Sequence, residues 1–376
     1  MKFVFASDSF KGTLSSAEIG AMLCESARAA FPDCDCRSVT MADGGEGSVA
    51  AVLSAAGGRT VPVRAHDPLG GAVDAFYGVT DGGCAVIETA AASGLTLIDE
   101  ARRDILAASS YGTGELIAHA LDAGYADITL ALGGSATNDG GAGAMAALGV
   151  RFLDADGRTL APNGASLRRI ASIDLSHMHP RLAHARFTAM CDVNSPLTGP
   201  LGATMTYGPQ KGASTPALLG ELEAGMENYA RALRRAFPDR DVEFPGAGAA
   251  GGLGAACALF IGAALKPGAE AVLDLTGFDT LLRGADLAVT GEGRADAQSV
   301  RGKAVAAVAA RCKKAGVPLI ALVGSAGPGA DALLGCGVTG LLEVSPDGCP
   351  PPDRAAALYR AAADRFFCAL AAEKRL

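Results

Sequence analysis

The two ends of the chain share one pattern of hydrophobic and polar positions. Residues 1–56 and 286–374 alternate short apolar runs, which predict buried strands, with segments whose apolar residues recur at helical spacing. Ser15 and Glu18 add the capping-box spacing that begins a helix. Repeated strand–helix units predict a parallel sheet. Because both ends have this rhythm, we expect them to form one domain that the middle of the chain interrupts.

The middle of the chain has a different pattern. Three strand-like runs, at 59–65, 72–79 and 84–88, follow one another with only glycine-containing turns between them. This succession predicts an antiparallel meander. Further strand-like runs at 128–132 and 187–192 are interspersed with predicted helices at 115–122, 142–148 and 216–237.

Together these patterns predict an α/β fold with two domains. Residues 1–58 and 280–376 form a discontinuous domain with a parallel sheet. Residues 59–279 form an inserted α/β domain whose sheet is mixed. The length of 376 residues is sufficient for two domains.

Charge and composition limit the class of partner. The net charge of −8 gives no reason to expect binding to nucleic acid or to an acidic membrane surface. The ten cysteines are scattered and form no CxxC pair, and no apolar run is long enough to span a membrane. We therefore expect a cytoplasmic protein. The 50 glycines cluster in loops between apolar runs, as ligand-contacting loops require.

The segment LGGSATNDGGAG, residues 132–143, is the richest candidate for a ligand site. It follows an apolar run and precedes an alanine-rich segment, which predicts strand, loop and helix. Glycines allow backbone N–H groups to approach a ligand, so we assign Gly133 and Gly134 to the nucleotide. A carboxylate would repel a phosphate, so Asp139 either holds a metal, the role that we assign to it, or polarises a hydroxyl. Ser135 and Asn138 are assigned to the substrate. The alternative is a glycine-rich turn without a ligand.

Two loops near the amino terminus carry further candidates. Asp8 and Lys11 follow the first predicted strand, at the sheet edge where open α/β folds bind ligands. We assign Asp8 to the substrate and Lys11 to catalysis, although a solvated lysine explains the spacing equally well. Asp43 and Glu46 lie in a second glycine loop. They bind a cation, with Asp43 as the metal ligand, or accept hydrogen bonds from substrate hydroxyls, or stabilise the following helix as N-terminal acids.

Asp192 ends a predicted strand and precedes a proline-containing loop that would hold it still. This position suits a general base, and an Asx-turn cap is the alternative. A literal GxGxxG follows at 246–251, but the preceding strand is short and Pro245 intervenes. We therefore interpret it as close packing of a helix through glycine and alanine rather than as a dinucleotide site.

A last loop follows the predicted strand at 286–290. Gly291 and Gly293 are assigned to the nucleotide, Arg294 and Asp296 to the substrate, and Lys303 to the nucleotide phosphates. The sequence has no GxxxxGK[ST] motif and none of the protein-kinase signatures. Acids, cations and glycine loops together suit phosphoryl transfer, but they do not exclude a nucleotide-binding regulator.

Longer motifs favour the first of these two classes of protein. Their order along the chain resembles the type I glycerate kinases from end to end. The motifs are DSFKG (8–12), ADGGEG (42–47), ETAAASGL (88–95), SSYGTGEL (109–116), GGSATNDGGAG (133–143), CDVNSPLTGPLGA (191–203), YGPQKGA (207–213), GAGAAGGLG (246–254) and TGEGRAD (290–296).

The resemblance implies ATP-dependent phosphorylation of D-glycerate with Mg²⁺, giving 2-phosphoglycerate. It also implies that the discontinuous domain is flavodoxin-like. A related small hydroxy acid as substrate, or a non-catalytic nucleotide-binding protein of the same fold, stays open as an alternative. The sequence does not decide the oligomeric state, and a homo-oligomer is compatible with it.

Overall fold

A computed structural model describes residues 1–42, 44–297, 299–300, 304–345 and 352–373. The chain divides into two units. Unit 1 contains Met1–Ala42, Ala50–Gly57 and Ala269–Leu376, and unit 2 contains Asp43–Val49 and Gly58–Gly268. Unit 1 is thus assembled from both ends of the chain. The predicted domain boundaries, 58/59 and 279/280, stay a prediction.

The strands of the described residues are short. In chain order they are β1 Lys2–Phe5, β2 Asp35–Ser38, β3 Arg59–His66, β4 Ala72–Val79, β5 Cys84–Glu88, β6 Asp127–Ala131, β7 Arg151–Leu153, β8 Ser172–Asp174, β9 Arg186–Met190, β10 Ala264–Lys266, β11 Leu287–Thr290, β12 Arg294–Ala295, β13 Leu319–Val323, β14 Ser325–Ala326 and β15 Gly340–Glu343.

The helices vary more in length. They are α1 Ser16–Ala30, α2 Ser48–Ala56, α3 Ala90–Ser93, α4 Tyr111–Asp122, α5 Ala142–Ala147, α6 Ala203–Tyr207, α7 Pro216–Ala236, α8 Ala249–Ile261, α9 Gly268–Leu275, α10 Phe278–Leu281, α11 Ala304–Ala315, α12 Ala332–Gly335 and α13 Pro352–Glu373. Short 3₁₀ helices occur at Leu95–Leu97, Glu100–Arg102, Gly164–Arg169, Pro180–His184 and Pro209–Lys211. Within the described residues, no helix combines the length and the apolar character that crossing a membrane requires.

Unit 1 contains a five-stranded sheet in the order β2-β1-β11-β13-β15, and every neighbouring pair is parallel. Numbered within this sheet, this is the 2-1-3-4-5 order of flavodoxin-like folds. The predicted parallel sheet from both chain ends is therefore confirmed. Phe3 and Phe5 on β1 are fully buried, and their rings lie 5.4 and 6.1 Å from that of Phe367 on α13.

Helix α1 shows why the apolar periodicity was informative. The Ser15 side chain accepts a hydrogen bond from the Glu18 N–H, and the Glu18 carboxylate accepts one from the Ser15 N–H at 2.8 Å. This reciprocal pair satisfies two of the N–H groups that every helix start leaves unpaired. Ile19 and Leu23, one turn apart, are completely buried. The capping box predicted from the sequence is confirmed.

Unit 2 contains a six-stranded mixed sheet in the order β10-β9-β6-β5-β4-β3. Strands β3, β4 and β5 pair antiparallel, which confirms the meander. Strands β5, β6, β9 and β10 pair parallel. The predicted α/β class, with a parallel sheet and a separate mixed sheet, is therefore confirmed. The carboxyl ends of β6 and β9 lie side by side, because Ala131 is in register with Met190.

Two of the predicted element boundaries differ from those of the structure by more than one residue. Helix α4 begins at Tyr111 rather than at residue 115. Its first turn contains Gly112 and Gly114, which are weak helix formers. Both are required by packing, because an added Cβ would meet the His66 carbonyl oxygen at Gly112 and the Ala144 carbonyl oxygen at Gly114. Strand β9 ends at Met190, two residues before the predicted end.

Arg311 on α11 ties together two short helices of unit 1. Its guanidinium lies 2.6 Å from the Glu270 carboxylate, 2.7 Å from Asp274 and 3.1 Å from Asp279. We expect Arg311→Met to lower the free energy of unfolding by about 1–2 kcal/mol, because three neighbouring carboxylates lose their shared cation. Urea unfolding of the purified variant measures the change.

Arg365→Met is a matched control, because Arg365 is an exposed arginine on α13 of the same unit. The difference between the two variants should shrink in high salt, which screens the repulsion among the three acids. Equal unfolding midpoints for both variants at low salt would contradict a stabilising role of Arg311.

Candidate active site

Unit 2 contains a cavity of about 310 Å³ at the carboxyl ends of β6 and β9. This volume is at the lower end of the range for small-molecule sites. The lining residues come mainly from loops that follow strands; they are Gly44, Gly45, Leu95, Leu132, Gly133, Gly134, Ser135, Met190, Cys191, Asp192, Val193, Tyr207, Gln210, Lys211, Ala249 and Ala250. Four of the residues predicted from the sequence are thus brought together here: Gly133, Gly134, Ser135 and Asp192.

The glycine loop after β6 approaches a second glycine loop closely. The Gly133 N–H donates to the Gly44 carbonyl oxygen at 2.9 Å, and a Cβ at Gly133 would lie 2.6 Å from the Gly45 Cα. Position 133 therefore requires glycine for space. Gly134 has φ +79°, which side-chain-bearing residues rarely adopt. This backbone forms part of the cavity wall, as expected for residues that present main-chain groups to a ligand.

Lys211 is the charged side chain of the cavity that sequence reasoning missed. It is only 3% exposed. Its ammonium group donates to the Ser135 Oγ at 2.9 Å and to the Thr137 carbonyl oxygen at 2.7 Å. Burial lowers the pKa of Lys211 to about 7, although the negative charge of Asp139 opposes this shift. The only sequence signal was its place in the segment YGPQKGA, which does not distinguish a buried lysine from a solvated one.

Asp192 follows β9 and lines the cavity wall. Its Oδ1 accepts a hydrogen bond of 2.8 Å from the Gly268 N–H, which holds one carboxylate oxygen in place. The residue is exposed. An anchored, solvent-accessible carboxylate on the wall of a cavity fits the predicted position of a general base.

Asp139 has a different environment from the one expected for a metal ligand. It is completely buried, and its carboxylate accepts hydrogen bonds from the Ser110 N–H, the Ser110 Oγ–H, the Gly141 N–H and the Gly143 N–H, at 2.7–3.2 Å. These donors belong to the starts of α4 and α5, where a negative charge is favourable. Burial raises the pKa of Asp139, and the four hydrogen bonds oppose this effect. This environment supports a structural role for Asp139 rather than metal binding.

Asn138 is also withdrawn from the cavity. It is completely buried, and its Nδ2 donates to the Thr204 Oγ1 at 3.1 Å. Neither Asn138 nor Asp139 is among the described residues that line the cavity. Asn138 thus connects the glycine loop to α6, and its assignment to the substrate has no support from its position.

Unit 1 brings together a second group of predicted residues. The Asp8 N–H donates to the Gly291 carbonyl oxygen at 2.8 Å, which joins the loops after β1 and β11. Arg294 on β12 is exposed and lies in register with Ser325 on β14. Gly293 packs against Phe10, because an added Cβ would lie 3.3 Å from the Phe10 Cα. These loops follow neighbouring parallel strands, where open sheets bind ligands.

Four further predicted residues are Lys11, Asp296, Asp43 and Lys303. Lys11 is exposed on the loop after β1, and the Asp296 N–H donates to the Ser299 Oγ at 3.0 Å. Asp43 and Lys303 lie outside the described residues. Within the ranges that the structure describes, no group of three or more His, Cys, Asp or Glu side chains is arranged to bind a metal ion. The described residues therefore do not define a magnesium site.

The glycine segment at 246–254 packs closely on the glycine loop after β6, as expected. Ala250, Gly251 and Gly252 have left-handed backbone angles at the start of α8. An added Cβ at Gly251 would meet the Thr137 carbonyl oxygen, and one at Gly252 would lie 2.7 Å from the Gly140 Cα. Ala250 itself lines the cavity. The segment therefore positions the glycine loop by direct contact of the two backbones.

Comparison with known proteins gives consistent matches along the whole chain. Residues 3–365 match the glycerate kinase family. The chain is 42% identical to a glycerate kinase of Bacillus subtilis strain 168, over 94% of this chain and 92% of that protein. It is 44% identical to the glycerate 2-kinase of Escherichia coli K12, over 86% of this chain and 85% of that protein.

A solved structure matches the fold as well. The crystal structure assigned to glycerate kinase 2 from Salmonella typhimurium LT2 has a TM-score of 0.88 and 41% identity, with complete coverage of both chains. Fold, cavity and matches together define a two-unit α/β kinase. More particularly, the chain belongs to the glycerate kinase family. The family resemblance based on the motifs is confirmed.

The position of Asp139 generates a prediction about stability. We expect Asp139→Ala to lower the free energy of unfolding by about 2–4 kcal/mol, because buried donors at two helix starts lose their acceptor. Urea unfolding measures this loss. Asp81→Ala, in the exposed turn between β4 and β5, is the control and should leave the midpoint unchanged.

The conservative variant Asp139→Asn separates a structural role from metal binding. Since the structure places the carboxylate on backbone N–H groups, the Mg²⁺ concentration for half-maximal activity should stay within a few-fold of the wild-type value. A large increase in that concentration, with unfolding stability unchanged, would restore Asp139 as a metal ligand.

Proposed function

We propose that this protein transfers the γ-phosphoryl group of ATP to a hydroxyl of D-glycerate and releases 2-phosphoglycerate. The observation that carries the proposal is the family match over residues 3–365. Relatives at 42–44% identity that are named glycerate kinase or glycerate 2-kinase support the substrate and the position of phosphorylation. The small cavity of unit 2 suits a compact acid rather than a large substrate.

The proposed chemistry requires three contributions from the chain. A base must receive the hydroxyl proton, cations and backbone N–H groups must stabilise the charge of the phosphoryl group, and both substrates must be held in line. We assign the first role to Asp192. Gly133, Gly134, Gly291 and Gly293 are proposed to present backbone groups to the phosphates of the nucleotide, while the rest of the nucleotide lies outside the unit 2 cavity.

The exposed cations of unit 1 are proposed to bind the anionic groups. Arg294 can form two parallel hydrogen bonds with an anionic group of the reactants, such as the transferred phosphate, whereas Lys11 offers a point charge for a phosphate. Asp8 and Asp296 are proposed to accept hydrogen bonds from substrate hydroxyls. Ser135 is proposed to contact the substrate in the cavity. Lys303, proposed for the phosphates, lies outside the described residues.

ATP is proposed to bind with Mg²⁺, which would offset part of the phosphate charge. Asp43 stays the proposed ligand and lies outside the described residues. No step of the proposed mechanism depends on a metal geometry.

A general base of the Asp192 type acts late in the reaction. The pKa of an alcohol is far above neutrality, so a carboxylate takes the proton only as the P–O bond forms. Because the transition state of phosphoryl transfer is loose, we expect the base to accelerate the reaction by a factor in the lower part of the usual range of about 10²–10⁴.

Two alternatives have less support. A kinase for a related small hydroxy acid would use the same cavity, but the named relatives cited above are glycerate kinases. A non-catalytic nucleotide-binding protein of the same fold would not need an anchored carboxylate such as Asp192 on the cavity wall. The protein is proposed to act in the cytoplasm on this small molecule, without nucleic acid or a membrane as partner. Homo-oligomerisation is left to direct measurement.

The first prediction from this proposal concerns the product. Incubation of the purified protein with D-glycerate, ATP and Mg²⁺ should give 2-phosphoglycerate, because the chain belongs to a family that includes a glycerate 2-kinase. ³¹P NMR distinguishes the two monophosphates. A signal of 3-phosphoglycerate would contradict the regiochemistry, and the absence of any phosphorylated acid would contradict the proposed function.

The second prediction concerns Asp192. Asp192→Asn keeps the size of the side chain and an oxygen that can accept from the Gly268 N–H, but it removes the basicity. We expect kcat to fall about 100-fold while the calorimetric affinities for D-glycerate and ATP stay nearly constant. Asp99→Asn, at an exposed position of unit 2, is the control.

Two results would remove Asp192 from the role of base. One is turnover of Asp192→Asn within a few-fold of wild type. The other is complete loss of D-glycerate binding, which would show that the carboxylate mainly holds the substrate.

A further inference from the structure

Lys211 carries a buried charge whose hydrogen-bonded partners are both neutral. Among the described residues, its ammonium group donates to the Ser135 hydroxyl and to the Thr137 carbonyl oxygen. An ammonium group has three N–H donors, so these two acceptors leave one donor for another partner. Lys211 lines the unit 2 cavity, and so does Ser135, whose hydroxyl its ammonium group contacts. The third N–H of the Lys211 ammonium group therefore belongs to a residue of the cavity wall.

The nearby carboxylate of Asp139 does not complete this site. Its negative charge favours the protonated form of Lys211, but its hydrogen bonds go to Ser110, Gly141 and Gly143. Removing an ammonium group from water is costly unless a negative charge is paired with it directly. Within the described residues, the cost of burying Lys211 is thus only partly offset by the protein.

The cavity favours a small acid as the missing partner. Its volume of about 310 Å³ is at the lower limit for ligand sites, which suits a compact hydroxy acid better than a complete nucleotide. Asp192 lines the same cavity as Lys211. A bound hydroxy acid could therefore place its carboxylate at the ammonium group and its hydroxyl towards a carboxylate base.

We propose that Lys211 binds the carboxylate of the hydroxy-acid substrate and is the residue that selects an acid for this cavity. The inference deepens the proposed function and rests on it. Ser135 is a positioning residue in this arrangement, because its hydroxyl orients the ammonium group. A phosphate oxygen of ATP could bind the ammonium group in the same way as the carboxylate of the hydroxy acid. Binding of the hydroxy acid and of ATP is therefore measured separately.

Binding of an anion to Lys211 should be accompanied by proton uptake. The pKa of Lys211 in the free protein is about 7, so at pH 8 much of the free protein carries a neutral amine. A bound anion raises this pKa, because it stabilises the ammonium form. Affinity should therefore be nearly constant below pH 6 and should fall about tenfold per pH unit well above pH 7.

Other titratable groups near Lys211 must be separated from it. Asp139 acts on it through its charge, and Cys191, Asp192 and Tyr207 line the same cavity. Burial raises the pKa of the Cys191 thiol, so this group stays neutral over the range tested. Lys211→Arg keeps a positive charge that does not titrate in this range, and it should abolish the proton uptake assigned to Lys211.

The main test compares Lys211→Met with wild type. Calorimetric titration with D-glycerate at pH 7, without nucleotide, should show affinity reduced by about 30-fold or more, because a buried charged contact is lost. Thermal unfolding of the unliganded variant should occur at the same or a higher temperature, because a costly buried charge is removed. Lys314→Met, an exposed lysine on α11, should match wild type in both measurements.

A parallel titration with ATP alone distinguishes the source of the anion. Lys211→Met should bind ATP within a few-fold of wild type. A large loss of ATP affinity with D-glycerate affinity unchanged would overturn the assignment in favour of a phosphate. A lower unfolding temperature of the free variant with ligand affinity unchanged would overturn it in favour of a purely structural role.

Proton uptake by wild type tests the same proposal without any variant that could fail to fold. Titrations with D-glycerate at pH 8, in buffers of different ionisation enthalpy, should give uptake approaching one proton. Absence of uptake at pH 8 would overturn the proposal. If wild type forms 2-phosphoglycerate but Lys211→Met binds D-glycerate normally, the inference fails and the function stands. If Lys211-dependent binding occurs without product formation, the function fails instead.

Discussion

The buried carboxylate of Asp139 is the interaction on which the unit 2 cavity depends. It accepts hydrogen bonds from the backbone at the starts of α4 and α5, and so it fixes one end of the glycine loop. The other end is held by the strand β6. Gly133, Gly134 and Ser135 lie between these two anchors. The cavity wall is therefore a short segment whose ends are both tied to regular structure.

Asp139 and Lys211 show two outcomes for a buried charge. The carboxylate is satisfied by four hydrogen bonds from the protein, so its charge contributes to the architecture. The ammonium group has only neutral acceptors among the described residues, so its charge is directed to a ligand. Both side chains are almost completely buried. What separates them is the number and kind of partners, which burial alone does not reveal.

The local sequence pattern was sufficient to predict the architecture and to place part of the candidate site. The meander, the parallel sheet and the Ser15 capping box follow from periodicity and from cap chemistry, which are properties of neighbouring residues. Asp192 was singled out because it was predicted to end a strand; it lies two residues after β9, on the wall of the cavity. Lys211 was not found, since its contact with Ser135 joins positions 76 residues apart. The same limit explains Asp139: nothing in a glycine loop tells whether its carboxylate faces a ligand or the backbone of two helices.

The left-handed turn at the start of α8 has a consequence for evolution. Gly251 and Gly252 contact the main chain of Thr137 and Gly140, so neither segment has room for an added side chain unless the other moves. A change in one segment alone displaces the cavity wall. A side chain added to either stretch is therefore tolerated only if the backbone of the other moves, so each of these distant stretches constrains the sequence of the other. The sequence can therefore vary more freely at the rim of the cavity than at the contact between these two stretches.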